Sequence, residues 1–258
     1  MRAHLVQSDI AWENPPENFR RVSAMLDGAH VRPGDLVVLT ELFDTGFSFN
    51  LDVTADRDGR TLAFLVDTAK RLGVTLQGAR TIIGPDGRGR NAAPVIAPDG
   101  RVLCEYYKIH PFSIGRESEY FTGGTEVMTF AWQHGSSNAV VCPTICYDLR
   151  FPELFRRGLT MGAEVFALGS SWPLPRKLHR VALGVARAIE NQAYMLCVNR
   201  AGNDPQFQYA GGSYAVDPKG QIVAEAGEEA CVLSVEIDLE LVRSWRATFP
   251  AWRDRKLS

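Results

Sequence analysis

The chain of 258 residues has no surplus of positive charge: Lys plus Arg number 28 and Asp plus Glu 30, a formal net charge of −2. Proteins that grip nucleic acid through its phosphates usually carry a basic excess, so that class is disfavoured. No stretch approaches the roughly 18 consecutive apolar residues of a membrane span. The opening MRAHLVQSDIAWENPP lacks the basic segment and long apolar run of a secretory signal. Cysteine is sparse. Cys104, Cys142, Cys146, Cys197 and Cys231 are odd in number and contain no C-x-x-C pair. That argues against a disulfide framework and leads us to expect a reducing, cytoplasmic setting. His4, His30, His110, His134 and His179 show no metal-ligand spacing, and neither G-x-x-x-x-G-K nor G-x-G-x-x-G occurs. No metal and no cofactor are therefore expected. Low-complexity linkers, charge blocks and repeats of 20–50 residues are missing too.

What remains is the composition of an ordinary globular protein, with 45% hydrophobic and 22% charged residues. Strand-like and helical stretches alternate from end to end. Strands are expected at 2–7, 35–40, 75–80, 92–97, 102–107, 127–132, 139–146, 164–168, 193–199, 213–217, 222–226 and 231–237. Helices are expected near 17–29, 60–72, 152–160 and 178–192, with a short one at the end. In the 178–192 helix, Leu178, Val181, Ala182, Val185, Ala186 and Ile189 form one apolar face. The pattern argues for an α/β class with helices covering sheet faces, and the many strands suggest more than one sheet. The segment 199–212 reads as a loop, and its Gly211–Gly212 pair as a turn or bulge.

Three strand ends present chemistry. Glu41 closes DLVVLT, Lys108 follows VLCEYY, and Cys146 stands between the apolar run AVVCPTI and YDLRFPE, where Pro152 fits a helix start. A thiol with a reference pKa of about 8.5 is only a few per cent thiolate at neutral pH. A carboxylate can take its proton during attack, and an ammonium can stabilise both the thiolate and a developing oxyanion. The other four cysteines lie inside apolar runs and read as core.

The order of these motifs resembles the nitrilase superfamily of carbon–nitrogen hydrolases, over nearly the whole chain. The resemblance rests on TELFDTGFS at 40–48, YYKIHPF at 106–112 and ICYDLRFPE at 145–153. It implies Glu41 as general base, Lys108 as oxyanion partner and Cys146 as nucleophile, with the backbone N–H of Tyr147 as a second oxyanion donor. The family's second glutamate precedes an F-T-x-G element; matching Phe121 in GRESEYFTGG gives Glu117, with Glu119 an open alternative. The implied fold is a four-layer αββα sandwich, one domain over 1–258, that pairs into at least a homodimer. SSWPLPR at 170–176 and ARAIENQAY at 186–194 look like the omega-amidase branch.

The expected function is therefore a cofactor-independent amidase acting on a small linear amide, such as a dicarboxylate monoamide. Carbamoyl hydrolysis, nitrile hydrolysis, a Cys–His hydrolase using His110 or His179, and a non-catalytic binding role stay open. Phe47 and Trp172 are candidates for the pocket wall, and Arg116 and Arg176 for holding a substrate carboxylate. Arg150 and Arg187 read as salt-bridged scaffolding. The aromatics of WRATFPAW, 245–252, are candidates for a subunit contact.

Overall fold

A computed structural model describes residues 1–256. It contains two mixed sheets. The first comprises β1 (Arg2–Gln7), β2 (Leu36–Leu39), β3 (Thr75–Gln77), β4 (Arg80–Ile83), β5 (Gly89–Ile96), β6 (Val102–Tyr107) and a late strand, Cys231–Glu236. The second comprises β7 (Phe130–His134), β8 (Ser137–Ile145), β9 (Val165–Ser170), β10 (Tyr194–Asn199), β11 (Tyr214–Val216) and β12 (Ile222–Glu225). The late strand is β13. The order in the first sheet is β13-β1-β2-β3-β5-β4 with β6 on β5, and in the second β12-β11-β10-β9-β8-β7. The middle of each sheet is parallel: β1, β2 and β3 in one, β8, β9 and β10 in the other.

Side-chain alternation makes the layers. Leu36 and Val38 of β2 face Val165 and Ala167 of β9 and Leu196 of β10 in a core between the sheets. The intervening Val37 and Leu39 face outward, onto α1 (Pro15–Asp27) and α3 (Arg60–Leu72), which bury Val22, Leu26, Leu65 and Ala69. Phe166, Leu168, Met195 and Cys197 face the other way, onto α5 (Pro152–Thr160) and α6 (Lys177–Asn191). Strands buried on both faces explain why these segments are continuous apolar runs rather than alternating ones. Helix, sheet, sheet, helix is the αββα sandwich expected from the resemblance. Short helices α2 (Leu51–Thr54) and α4 (Glu117–Tyr120) and the later α7 (Leu239–Thr248) complete the set.

Several boundaries differ from expectation for local reasons. The first helix begins at Pro15 rather than Glu17, because Asn14 caps it by accepting from the Glu17 N–H at 3.3 Å and both prolines fit the first turn. The single strand expected at 75–80 is two, β3 and β4. They break at Gly78, where a Cβ would stand 2.5 Å from Leu65 of α3, so only a glycine lets the helix pack there. Pairing of the strand expected at 127–132 starts at Phe130.

The apolar face expected to anchor α6 is largely on the outside. Leu178 and Ile189 are 77% and 51% exposed, while the buried face consists of Arg180, Gly184, Arg187, Ala188 and Asn191. Val181, Leu183 and Val185 pack from the flanks. Arg180 donates to the carbonyls of Gly211 and Gly212, and Arg187 to that of Leu149, so these guanidiniums satisfy loop ends beneath the helix.

Candidate active site

The site gathers at the carboxyl ends of strands from both sheets. Glu41 follows β2, Lys108 follows β6, Cys146 follows β8 and Ser171 follows β9. Such strand ends, opposite each other at the edge of a sandwich, form a natural crevice. The sheets approach closely beside it. A Cβ on Gly169 would lie 2.6 Å from the Leu39 carbonyl oxygen, so a side chain there would push β9 away from β2. That contact lets the Ser171 N–H donate to Glu41 Oε2 at 3.0 Å.

Lys108 stands between two carboxylates. Its Nζ donates to Glu41 Oε1 and to Glu117 Oε2, both at 2.7 Å, and all three side chains are buried. The Phe112 N–H adds a 2.6 Å bond to Glu117 Oε2. Asn91 of β5, which the sequence reading passed over, donates from Nδ2 to Glu41 Oε1 at 2.9 Å and to Glu117 Oε1 at 3.1 Å. Glu119 is elsewhere: it pairs with Arg116 at the surface. Of the two candidates for the second glutamate, Glu117 is the one that touches Lys108.

Burial alone would discharge the Lys108 ammonium, but Glu117 and Glu41 outweigh it and hold the lysine charged, above its ordinary range. Burial, and then the Glu41 charge, push Glu117 and the Cys146 thiol upward; Lys108 pulls both back. For Glu117 the lysine's pull precedes the Glu41 effect. Cys146 therefore rests as a thiol beside a carboxylate and an ammonium, the arrangement in which proton transfer accompanies attack rather than precedes it.

Cys146 has φ 45°, the left-handed region, and opens the 3₁₀ turn Cys146–Arg150. Non-glycine residues seldom adopt this conformation, and here a polar anchor holds it. The buried Asp148 accepts from the Ile145 N–H at 3.0 Å, the Tyr106 hydroxyl at 2.7 Å and the His110 N–H at 3.1 Å. His110 Nδ1 lies 2.8 Å from the same carboxylate, and its ring stacks on Phe151 at 3.7 Å. Asp148 thus ties the lysine loop to the cysteine turn. His110 is engaged in that tie, and neither it nor His179 lines the cavity beside Cys146.

That cavity, partly open to solvent, spans about 400 Å³ above Glu41, Lys108 and Cys146. Phe47, Tyr147 and Trp172 line it, and Arg176 lies at its side with its guanidinium 5.3 Å from the Phe112 ring. Arg116 does not line it. This arginine sits in the turn before α4, where its side chain is 65% exposed and pairs with Glu119, so its expected place at the substrate is corrected. Arg150, expected as scaffold, lines the cavity instead, 4.9 Å from the Trp172 ring and 5.7 Å from that of Tyr147. Arg187 does behave as scaffold, paired with Glu190 at 2.9 Å. Neither Arg150 nor Arg176 has a carboxylate partner among the described residues. Phe207 and Tyr209, from a stretch that read only as loop, supply the remaining wall. Tyr209 is held by Asp204 through its hydroxyl and by Arg200, 4.4 Å from its ring. Asn199 fixes the Trp172 segment, accepting from its N–H at 2.7 Å and donating to its carbonyl at 3.2 Å.

Relatives of known description share this chain's length and fold. It is 35% identical over 251 residues to a 2-oxoglutaramate amidase of Bacillus subtilis, covering 96% of this chain and 95% of the relative. It is 32% identical over 256 residues to an omega-amidase of Yersinia enterocolitica, covering 98% and 96%. Among solved structures, a CN-hydrolase superfamily protein of Xanthomonas campestris superposes with a TM-score of 0.92 at 31% identity, covering 100% and 98%. Nit3 of Saccharomyces cerevisiae, a member of branch 10 of the nitrilase superfamily, gives 0.86 at 27% identity, covering 100% and 97%. The carbon-nitrogen hydrolase family model matches residues 2–247, and with this match and these relatives the chain belongs to the carbon–nitrogen hydrolase family.

Proposed function

We propose that this protein is a thiol amidase that hydrolyses a small anionic amide, of the dicarboxylate-monoamide type, to a carboxylate and ammonia. The observation that carries this reading is the buried Glu41–Lys108–Glu117 array beside Cys146, under a cavity bordered by two guanidiniums that have no carboxylate partner among the described residues. The names of the relatives, omega-amidase and 2-oxoglutaramate amidase, support the same substrate class. A carboxylate at the far end of the substrate is suited to a guanidinium fork, which Arg176 or Arg150 offers. Phe47, Tyr147 and Trp172 shape the space between that end and the thiol.

In this reading Cys146 Sγ attacks the amide carbonyl carbon while Glu41 accepts the thiol proton. The Lys108 ammonium and the Tyr147 N–H hold the oxyanion. Collapse breaks the C–N bond, and Glu41 returns the proton to the departing ammonia. Water then gives a proton to Glu41 and attacks the thioester, releasing the carboxylate and restoring the thiol. Glu117 keeps Lys108 charged and in place. The chemistry calls for no metal or cofactor. The protein acts as one domain over 1–258, in the cytoplasm, as a homodimer or larger homo-oligomer, with neither nucleic acid nor membrane as partner.

The test is ammonia release from a panel of anionic amides, neutral amides of matched length, nitriles and carbamoyl compounds. Anionic amides are expected to lead. Cys146→Ala is expected to abolish turnover. Glu41→Gln should lower kcat by ~10²–10⁴-fold, the usual contribution of a general base. Arg176→Ala or Arg150→Ala should raise KM for anionic amides and leave neutral ones nearly unchanged. A preference for neutral or cationic amides, with both arginine variants normal, would reject the substrate class. Full activity of Cys146→Ala would reject the mechanism.

A further inference from the structure

We propose that Asn91 is a positioning residue that gives the two oxygens of Glu41 different tasks, so that Oε2 alone takes the thiol proton. The inference rests on the amidase reading above and extends it to the proton's path. Oε1 of Glu41 already accepts two hydrogen bonds, from Lys108 Nζ at 2.7 Å and Asn91 Nδ2 at 2.9 Å. A proton placed on that oxygen would face two donors and find no acceptor. Oε2 accepts one bond, from the Ser171 N–H at 3.0 Å, on the side where β9 ends. Its remaining lone pair is the one available to a thiol.

The amide of Asn91 is locked in this orientation. Its Nδ2 also donates to Glu117 Oε1 at 3.1 Å, so rotation would set the amide oxygen against two carboxylates. Oδ1 is buried with no hydrogen-bond partner among the described residues, although orphaned buried acceptors are rare and costly. The donor side is retained at the expense of the acceptor side, which is what a residue serving the two glutamates requires. The same residue's carbonyl accepts from the Lys108 N–H at 2.9 Å, so one position in β5 holds all three members of the array. Asn91 does not line the cavity, and its role runs through Glu41.

Kinetics of Asn91→Ala and the near-isosteric Asn91→Asp, followed against pH, test this assignment. Loss of a donor to a carboxylate disfavours its ionised form. The acidic limb of kcat/KM, which reports the base in the free enzyme, should move to higher pH by roughly one unit or more. Asn91→Asp, which also adds a negative charge, should move it further. KM should change little while kcat falls at low pH and recovers as pH rises. A purely structural residue would instead scale the rate by one factor at every pH. The proposal is overturned if the limb stays in place in both variants, or if neither folds by thermal melting. Glu41→Gln serves as control. If it keeps activity, the amidase reading itself fails; if it is inactive while the limb of the Asn91 variants is unmoved, only the role of Asn91 fails.

Discussion

Glu117 and Glu119 lie two positions apart and have opposite surroundings. Glu117 is buried against Lys108, Asn91 and the Phe112 N–H, whereas Glu119 faces Arg116 in solvent. Neutralising one partner of a buried pair strands the other charge and costs ~3–5 kcal/mol, while an exposed, solvent-screened pair contributes little. Glu117→Gln is therefore expected to cut kcat by at least tenfold and lower the melting temperature, and Glu119→Gln to change neither appreciably. Equal behaviour of the two variants in an ammonia-release assay and a thermal melt would contradict the assignment. The sequence pointed to Glu117 through the count back from Phe121, and that count works because the Phe121 N–H closes the short α4 onto the Glu117 carbonyl at 2.8 Å. Asn91 was not legible in the same way. Nothing in GRNAAPVI marks it; its importance comes from the pairing of β5 with β6, which sets Ala92 opposite Tyr107 and so places Asn91 beside Lys108. Arg150 read as salt-bridged scaffolding because nothing in the sequence shows that the 3₁₀ turn Cys146–Arg150 carries it to the cavity.

At the scale of elements, the joints around the site are polar and buried. The turn after β2 carries Asp44, whose carboxylate accepts from the Thr61 hydroxyl at the start of α3 and whose carbonyl accepts from Asn18 of α1. Burial raises the Asp44 carboxyl to about 7, partly offset by the Thr61 hydroxyl. An unfolded aspartate titrates near 3.9. Between about pH 4 and 7 the folded chain thus keeps a proton that the unfolded chain has lost, so this group's contribution to stability declines as pH rises through that window. Above it the full cost of a buried carboxylate remains, on the order of a few kcal/mol. Asp44→Asn removes the pH dependence while its cost in unmatched amide donors is the same at every pH. Relative to the native chain, the variant should gain stability from pH 5 to pH 8. Urea midpoints that run parallel at the two values would disprove the raised titration. The elements themselves were largely readable from apolar runs, but this joint was not, since FDT reads like any turn and its burial depends on three helices and strands meeting.

The whole molecule shows most plainly where periodicity misleads. The stripe Leu178, Ala182, Val185 and Ile189 recurs at spacings of four, three and four, the pattern of a core-facing helix. In the folded chain Leu178, Ala182 and Ile189 of that stripe are exposed, and the core side of α6 is built from two arginines, a glycine, an alanine and an asparagine. The reason is the loop ends underneath: carbonyls at Leu149, Gly211 and Gly212 need donors, and a Gly184 side chain would collide with Tyr214. The C-terminal aromatics extend the apolar surface. Gln192 at the end of α6 donates to the Phe249 carbonyl at 2.8 Å, and Phe249 itself is 53% exposed, stacked on Trp245. In the homo-oligomer proposed above, a helix that turns its apolar stripe outward, continued by an exposed phenylalanine, is the surface offered to a second copy of the chain. Sedimentation at micromolar concentration is expected to give at least twice the mass of one chain. Replacing Ile189 and Leu178 together by glutamate should shift the species to the monomer while leaving the fold intact, because both side chains already face solvent in the single chain. A native protein that sediments as a monomer, or a double variant that remains associated, would remove α6 as the interface.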